Sequence, residues 1–186
     1  MKIKLIPALL LAGVVTVSQV ASAADGTITF NGSVTAQTCT INGNGTSSKN
    51  FTVTLPTVST SALTTAGNTA GATPFNITLT ACTPTTGTGA INAVHAYFEP
   101  GPTINTTSGN LILASGGATN VEIQLLNAGD QSPVKLGQAD ATQNSTAVAV
   151  SPSGTATLQF YAQYYATGTA TAGAANSTVQ YTIAYQ

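Results

Sequence analysis

Apolar and polar residues alternate one by one through most of this chain, and no stretch after residue 23 keeps a helical period. A period of two is typical of strands that bury one face. Most of the stretches between the alternating segments are rich in Gly, Pro and Asn, residues that favour turns. The sequence therefore predicts one all-β domain, a β-sandwich of immunoglobulin-like type. The predicted strands are 27–34, 51–55, 75–79, 94–98, 121–125, 158–164 and 179–185.

The composition excludes several classes of protein. Charged residues make up only 5% of the 186 residues, whereas 42% are apolar. A nucleic-acid-binding surface or a polybasic membrane-binding patch needs many basic residues, and the chain has four lysines and no arginine. Disordered chains combine low hydropathy with high net charge, which is the reverse of this composition. We therefore expect a small folded protein without a nucleic-acid partner.

The first 23 residues have the organisation of a secretory signal peptide. Lys2 and Lys4 precede an apolar stretch, 5–17, and Ala21-Ser22-Ala23 forms a small-residue cleavage site. The apolar stretch is short for a membrane-spanning helix, so a membrane anchor is the weaker alternative. We expect cleavage just before Ala24 and export of the remaining chain.

The chain has two cysteines, Cys39 and Cys82. An even number of cysteines in an exported chain predicts a disulfide. Two thiols make a poor zinc site, and with His95 as the one histidine a catalytic thiol is disfavoured. Cys82 has the opposite parity to the apolar face of 75–79. Because parity cannot change in a regular strand, we expect a β-bulge there or a bridge at the strand's end.

The two ends of the predicted sandwich leave its completeness open. Residues 24–38 precede the first cysteine and could extend over about 50 Å at ~3.3 Å per residue, far beyond a typical strand. Residues 179–186 form an aromatic, alternating strand that needs a neighbour. The two segments could pair between chains by strand addition, or with internal neighbours of a complete sandwich. The alternation alone does not decide between these two interpretations.

Several segments together resemble the major pilins of chaperone–usher fimbriae, the type 1 and P-like family, and most of all the G-fimbria type. The resemblance covers nearly the whole chain and is most specific at the C-terminus, although the N-terminal arm is a few residues shorter than in type 1 pilins. The matching pieces are 26–34 followed by Cys39, 55–58, 73–79 with Cys82, 159–168, and Val179, Tyr181, Ile183 and Tyr185 with Gly173 fourteenth from the end.

The resemblance implies an incomplete immunoglobulin-like sandwich that lacks its last strand and is completed by donor-strand exchange. Residues 24–37 would be the donor-strand extension and residues 38–186 the pilin domain. The implied donor residues are Ile28, Phe30, Gly32 and Val34. The implied groove and acceptor edge consist of Gly173, Val179, Tyr181, Ile183, Tyr185 and Gln186.

The same resemblance implies a structural role in a bacterial surface fimbria that supports cell adhesion. The implied partners are identical subunits, a periplasmic chaperone, an outer-membrane usher and, through a tip adhesin, a host receptor. The chaperone would hold the carboxylate of Gln186 with basic side chains. No cofactor or metal is expected. Two alternatives stay open, an adhesive minor pilin and a secreted carbohydrate-binding β-sandwich.

We do not expect an enzyme, because convergent polar groups are scarce. The acids after residue 23 are few, and Glu122 alternates with Val121 and Ile123, which predicts a solvated strand face. His95 is expected to be a surface or half-buried strand residue. Tyr161, Tyr164 and Tyr165 could form a sugar-binding cluster, although packing on opposite strand faces is favoured. The five acids are Asp25, Glu99, Glu122, Asp130 and Asp140.

Overall fold

Five of the seven alternating segments form β-strands in the computed structural model, which describes residues 38–186 together with Thr29 and Ala36. The connecting segments include two 3-10 turns, Thr60–Ala62 and Asp140–Thr142. The strands are β1 (Thr38–Gly43), β2 (Thr69–Thr83), β3 (Ala93–Phe98), β4 (Ile104–Asn105), β5 (Asn110–Ile112), β6 (Val121–Asn127), β7 (Val148–Ala149), β8 (Ala156–Ala166) and β9 (Tyr181–Tyr185).

The strands form two sheets in which every pairing is antiparallel. The larger sheet has the order β1-β2-β8-β6-β5-β4, and the smaller has the order β7-β3-β9. Among the strands of the described residues, β9 is thus an edge strand that pairs with β3 alone. The all-β prediction is confirmed.

The core lies between the inward faces of the two sheets, because period-2 strands place every second side chain there. Ile77 and Leu158 of the larger sheet and Val94 of the smaller are almost fully buried. The rings of Phe98 and Phe160 join the sheets, edge to face with centroids 5.5 Å apart. The two sheets therefore share one hydrophobic core and form a sandwich.

The predicted disulfide between Cys39 and Cys82 is present and links β1 to β2. The register of these strands shifts between Thr38 and Thr40, and Ala81 has a φ of 51°, in the left-handed region. This irregularity brings Cys82 inward after the buried residues of 75–79, so the predicted bulge is confirmed.

Four predicted strands, 75–79, 94–98, 121–125 and 158–164, lie inside β2, β3, β6 and β8. The predicted strand 179–185 is formed from Tyr181 onward, as β9. The predicted strand 27–34 lies outside the described residues, apart from Thr29. Within the part of the chain that the structure describes, no helix is long and apolar enough to cross a membrane.

Candidate functional site

An open groove of about 640 Å³ runs beside β9, the edge strand of the smaller sheet. Residues 49–55 form one side, here called the first bank, and residues 177–182, which lead into β9, form the second bank. Apolar core side chains make up the floor: Ile41, Phe75, Ile77, Phe98, Leu111, Ile123, Leu125 and Ala162.

One main-chain edge of the segment 174–186 is hydrogen-bonded, and the other faces the groove. The oxygens of Asn176 and Gln180 accept hydrogen bonds from the N–H groups of Ala114 and Glu99, at 2.8 and 2.9 Å. The N–H and C=O groups of successive residues point to opposite edges of an antiparallel strand. The main-chain groups of the odd-numbered residues therefore face the groove. Within the described residues no strand pairs with that edge. The residues whose main-chain groups form this free edge are Ser177, Val179, Tyr181, Ile183 and Tyr185.

The first bank also has an unpaired backbone. Its side chains alternate between half-buried and exposed from Phe51 to Leu55, yet this stretch is not a strand. Among the described residues, the one hydrogen bond to the main chain of 51–55 comes from the side-chain amide of Asn44 to the oxygen of Thr52, at 3.4 Å. The prediction of a strand at 51–55 is therefore wrong, because a strand needs a partner for its main-chain groups.

Two unpaired backbones on either side of an apolar floor suit an extended chain. Such a chain could bond to both banks and place every second side chain on the floor. A small-molecule site would instead show several convergent polar groups. The charged residues at the groove are Lys49 and Glu99, and the Glu99 carboxylate already accepts a hydrogen bond from the hydroxyl of Thr182, at 2.6 Å. The predicted sandwich is confirmed, and within the described residues it lacks a strand between the two banks.

Tyr181 connects the two banks. Its hydroxyl donates a hydrogen bond to the main-chain oxygen of Lys49, at 2.8 Å. Its ring meets that of Phe51 edge to face, with centroids 6.2 Å apart, and Phe51 in turn lies 6.1 Å from the ring of Phe75. Partial burial of the Tyr181 side chain raises the pKa of its hydroxyl. The sequence predicted Tyr181 as a groove residue but did not predict its contact with the first bank.

The structure separates five of the six predicted groove residues into three groups, and the sixth, Gly173, lies elsewhere. Val179 and Tyr181 line the groove. Ile183 is buried in the core, and Tyr185 packs against the core as a half-buried side chain. The main-chain oxygen of Gln186 accepts hydrogen bonds from residues 92 and 93, at 2.7 and 3.1 Å.

Gly173 does not line the groove. A Cβ atom at this position would lie 2.5 Å from the nitrogen of Ala118 and 2.7 Å from the carbonyl carbon of Gly117, closer than side chains pack. The next residue, Ala174, accepts a hydrogen bond from the same Ala118 nitrogen, at 2.8 Å. A glycine is thus needed where the C-terminal segment crosses the 117–118 backbone.

The first bank is the part of the site that sequence reasoning missed. The alternation of 51–55, which stops at Pro56, was a signal for it, but period-2 alternation does not tell a paired strand from an unpaired one. The predicted donor residues Ile28, Phe30, Gly32 and Val34 lie outside the described residues, as does the predicted cleavage site at Ala23 and Ala24.

The expectation of a solvated Glu122 is wrong, because this side chain is only 7% exposed. One carboxylate oxygen accepts a hydrogen bond from the amide of Asn105, at 2.7 Å, and the other from the amide of Asn110, at 3.0 Å. Strand β5 pairs with β6 at this point, and these amides of β4 and β5 cover the outer face. Glu122 is therefore part of a buried polar network.

His95 is also more buried than predicted, at 7% exposed. Its Nε2 lies 2.8 Å from a carboxylate oxygen of Asp140, and its Nδ1 lies 3.3 Å from the side-chain nitrogen of Gln186. The segment around Asp140 covers the face of β3 that alternation assigned to solvent. No group of three His, Cys, Asp or Glu residues in the described chain is placed to hold a metal ion.

The three tyrosines of β8 do not form one cluster. Tyr164 is buried in the core, and burial raises the pKa of its hydroxyl. Tyr161 and Tyr165 lie on the opposite face of the strand and are half-buried. The favoured interpretation, packing on opposite faces, matches this arrangement.

Comparison with known proteins places the chain among fimbrial subunits. Residues 55–186 match the family model for type-1 fimbrial protein A, FimA. The chain is 54% identical over 163 residues to the F17 fimbrial protein of Escherichia coli, covering 87% of this chain and 88% of the relative. It is 48% identical over 169 residues to the major fimbrial subunit SMF-1 of Stenotrophomonas maltophilia, covering 89% and 95%.

Solved structures share the fold at lower identity. A subunit of a chaperone–usher pilus superposes with a TM-score of 0.60 and 24% identity, covering 88% of this chain and 96% of that one. The P pilus rod subunit PapA superposes with a TM-score of 0.57 and 23% identity, covering 80% and 99%.

Proposed function

The chain belongs to the type-1 fimbrial protein A family, and from this we propose that it polymerises by accepting a strand of a second copy in its groove. Family membership confirms the resemblance predicted from the sequence. Members of this family are structural subunits of pilus polymers at the bacterial surface.

The observation that carries the proposal is the pair of unpaired backbones, 51–55 and the odd-numbered edge of 177–185, above an apolar floor. Residues 24–37 of a second copy are proposed to fill this space as a donor strand. Their alternation places Ile28, Phe30, Gly32 and Val34 on one side, which would face the floor. Their main-chain groups would pair with both banks, as in strand addition to a free sheet edge.

Burial of the donor side chains would make the contact strong. Each fully buried Val, Ile or Phe contributes about 1.5–3 kcal/mol. The contact joins an arm of one copy to a groove of the next, so the two contacting surfaces differ. A head-to-tail contact of this kind extends into a filament unless it closes into a ring.

Assembly would require partners that protect the groove before the donor strand arrives. We propose a periplasmic chaperone that lends a strand to the groove, and an outer-membrane usher at which the arm of the next copy replaces that strand. Residues 1–23 would direct export to the periplasm and be removed in the process. Contact with a host receptor would be made through a tip adhesin. We also propose that basic side chains of the chaperone would bind the terminal carboxylate of Gln186.

The first test compares the chain from Ala24 onward with a version that lacks residues 24–37. Both are expressed with a periplasmic chaperone, released from it, and analysed by gel electrophoresis in SDS without boiling and by electron microscopy. We expect SDS-resistant polymers from the longer version alone. Equally stable monomers from both versions without a chaperone would contradict the proposal, and would favour a secreted binding module with a complete sandwich.

A matched pair of substitutions tests the predicted orientation of the arm. Phe30→Asp would place a carboxylate on the apolar floor, which is costly for a buried, unpaired charge. Asn31→Asp adds the same charge on the opposite face of the arm. We expect the polymer to be lost with Phe30→Asp and kept with Asn31→Asp. Equal effects of the two substitutions would mean that the arm does not lie on the floor in this register.

A further inference from the structure

Ile112 is the one large apolar side chain that stands exposed in the described part of the chain, at 44% exposure. It lies at the end of β5 beside a shallow depression of about 200 Å³. None of the described residues that line this depression is charged. We call this surface the Ile112 patch; it consists mainly of Pro102, Ile112, Leu113, Ala114 and Thr178.

The Ile112 patch is continuous with one end of the groove. Ser177 and Thr178 line both the groove and the depression. The hydroxyl of Ser177 donates a hydrogen bond to the main-chain oxygen of Ile112, at 2.7 Å, and the hydroxyl of Thr103 donates one to the oxygen of Thr178, at 2.6 Å. A strand that leaves the groove at Ser177 therefore emerges beside Ile112.

The direction of the donor strand decides which of its two ends lies beside the Ile112 patch. Every strand pair in both sheets is antiparallel. A donor strand that continues this pattern runs antiparallel to 177–185, with its first residues near Tyr185 and its last near Ser177. Val34 of the second copy would then lie at the end of the groove that borders the Ile112 patch.

The length of the linker brings the body of the second copy close to this point. From Val34 to Thr38, where β1 begins, the chain can span at most about 14 Å. Thr38 pairs with Thr83, and the loop 84–90 follows Thr83 directly. This loop contains no charged residue and exposes Pro84 and Thr86. An uncharged loop is thus tethered next to an uncharged, partly apolar patch.

We propose that the Ile112 patch docks on the loop 84–90 of the copy that donates its arm. This inference rests on the proposed function and adds a second contact between successive copies. The strand in the groove would tether the donor, and the patch would fix the angle at which the donor's sandwich sits. Burial of Ile112 in the polymer would also remove the exposed apolar side chain of the single chain from water.

Chemical cross-linking tests the contact in the polymer. The double variant Ile112→Cys with Thr86→Cys is polymerised and treated with a short bismaleimide. Because Cys39 and Cys82 are bonded to each other, the introduced thiols are the reactive ones. The matched control combines Ile112→Cys with Thr65→Cys, an exposed residue just before β2, at the end opposite Thr83. Only a bond between copies gives a ladder of covalent multimers after boiling in SDS.

We expect the ladder from the variant that combines Ile112→Cys with Thr86→Cys. The control with Thr65→Cys should give no more cross-linked multimers than the variants with a single introduced cysteine. Polymers without a ladder, or with equal ladders from both pairs, would overturn this inference and leave the proposed function intact. Absence of polymers from the unsubstituted chain would overturn both. If the first double variant fails to polymerise, Ala114→Cys with Thr88→Cys replaces it. A ladder is again expected, and polymers of this variant without a ladder would overturn the inference.

Discussion

The hydroxyl of Tyr181 donates a hydrogen bond to the main-chain oxygen of Lys49, at 2.8 Å, and so ties the second bank of the groove to the first. The ring of Tyr181 also packs edge to face on Phe51 of the first bank. Since neither bank pairs with the other through main-chain bonds, this side chain is a direct link across the groove.

Removal of the Tyr181 hydroxyl should lower stability while the ring contact remains. We expect Tyr181→Phe to cost about 1 kcal/mol, the net value of a typical hydrogen bond. The control is Tyr185→Phe, since the Tyr185 hydroxyl has no hydrogen-bond partner among the residues that the structure describes. The measurement is urea unfolding followed by circular dichroism. Equal midpoints for the two variants would show that the Lys49 contact does not stabilise the chain.

Alkaline pH should weaken the fold partly through Tyr181. Burial raises the pKa of this hydroxyl in the folded chain, so the unfolded chain, with an ordinary tyrosine pKa of about 10, ionises first. The neutral Tyr181 hydroxyl therefore contributes its full stabilisation of the folded chain below about pH 10, and this stabilisation is lost as the pH rises through the folded-state pKa. We expect stability to fall less steeply above pH 10 in Tyr181→Phe than in the unsubstituted chain. Parallel pH profiles would contradict this assignment.

The side chain of Gln143 should be essential to the edge of β3. Its amide is fully buried and pairs with both main-chain groups of Phe98, accepting from the N–H at 2.8 Å and donating to the oxygen at 2.9 Å. Gln143→Leu leaves both groups unpaired, at about 1–3 kcal/mol each. The exposed Gln138 gives the control, Gln138→Leu, for which we expect a change within about 0.5 kcal/mol. Similar unfolding midpoints for Gln143→Leu and Gln138→Leu would show that the hydrogen bonds of Gln143 to Phe98 do not stabilise the chain.

A methyl group at Gly173 should be poorly tolerated. Gly173→Ala would push a Cβ atom into the backbone of residues 117 and 118, and overpacking of this kind costs about 1–3 kcal/mol. The control is Gly129→Ala, where a Cβ atom would meet nothing within 4 Å. Thermal unfolding of the two variants measures the difference. A larger loss at Gly129 would show that the close crossing is not what selects glycine.

Loss of the disulfide should destabilise the chain by about 2–5 kcal/mol, as is typical for small secreted domains. The bond between Cys39 and Cys82 closes a loop with a separation of 43 residues, for which chain entropy alone predicts about 4 kcal/mol. Urea unfolding of Cys39→Ala with Cys82→Ala measures the loss. Addition of a reductant to the unsubstituted chain should give a similar shift. A double variant as stable as the oxidised chain would contradict the prediction.

The alternation predicted the five strands β2, β3, β6, β8 and β9, and it missed β1 and the short strands β4, β5 and β7. The alternation of 75–79 and 158–164 succeeded because β2 and β8 pair with each other over most of their length. It failed at 51–55, where the pattern is the same but no described strand supplies the hydrogen bonds. Alternation reports which side of a segment is apolar, and it carries no information on whether a partner is present.

Burial on the outer faces was predicted less well. Alternation assigned Glu122 to solvent, but the amides of Asn105 and Asn110 cover it. His95 is covered in the same way by the segment around Asp140. Both covers come from short strands and loops that follow no period, so a pattern of apolar residues does not reveal them. The contact of Tyr181 with Lys49 spans 132 positions and has no local signal in the sequence.

Lys49 also makes the first bank a point of attack for trypsin. The chain beyond residue 23 has only two lysines, Lys49 and Lys135, and no arginine. The peptide bond after Lys49 lies just ahead of the unpaired stretch 51–55, which can take the extended conformation in which proteases bind their substrates. A strand in the groove would pair that stretch and shield it. Subunits that never receive a partner would be cut at this bond, whereas subunits in the fibre would survive, so digestion itself would select for finished filaments.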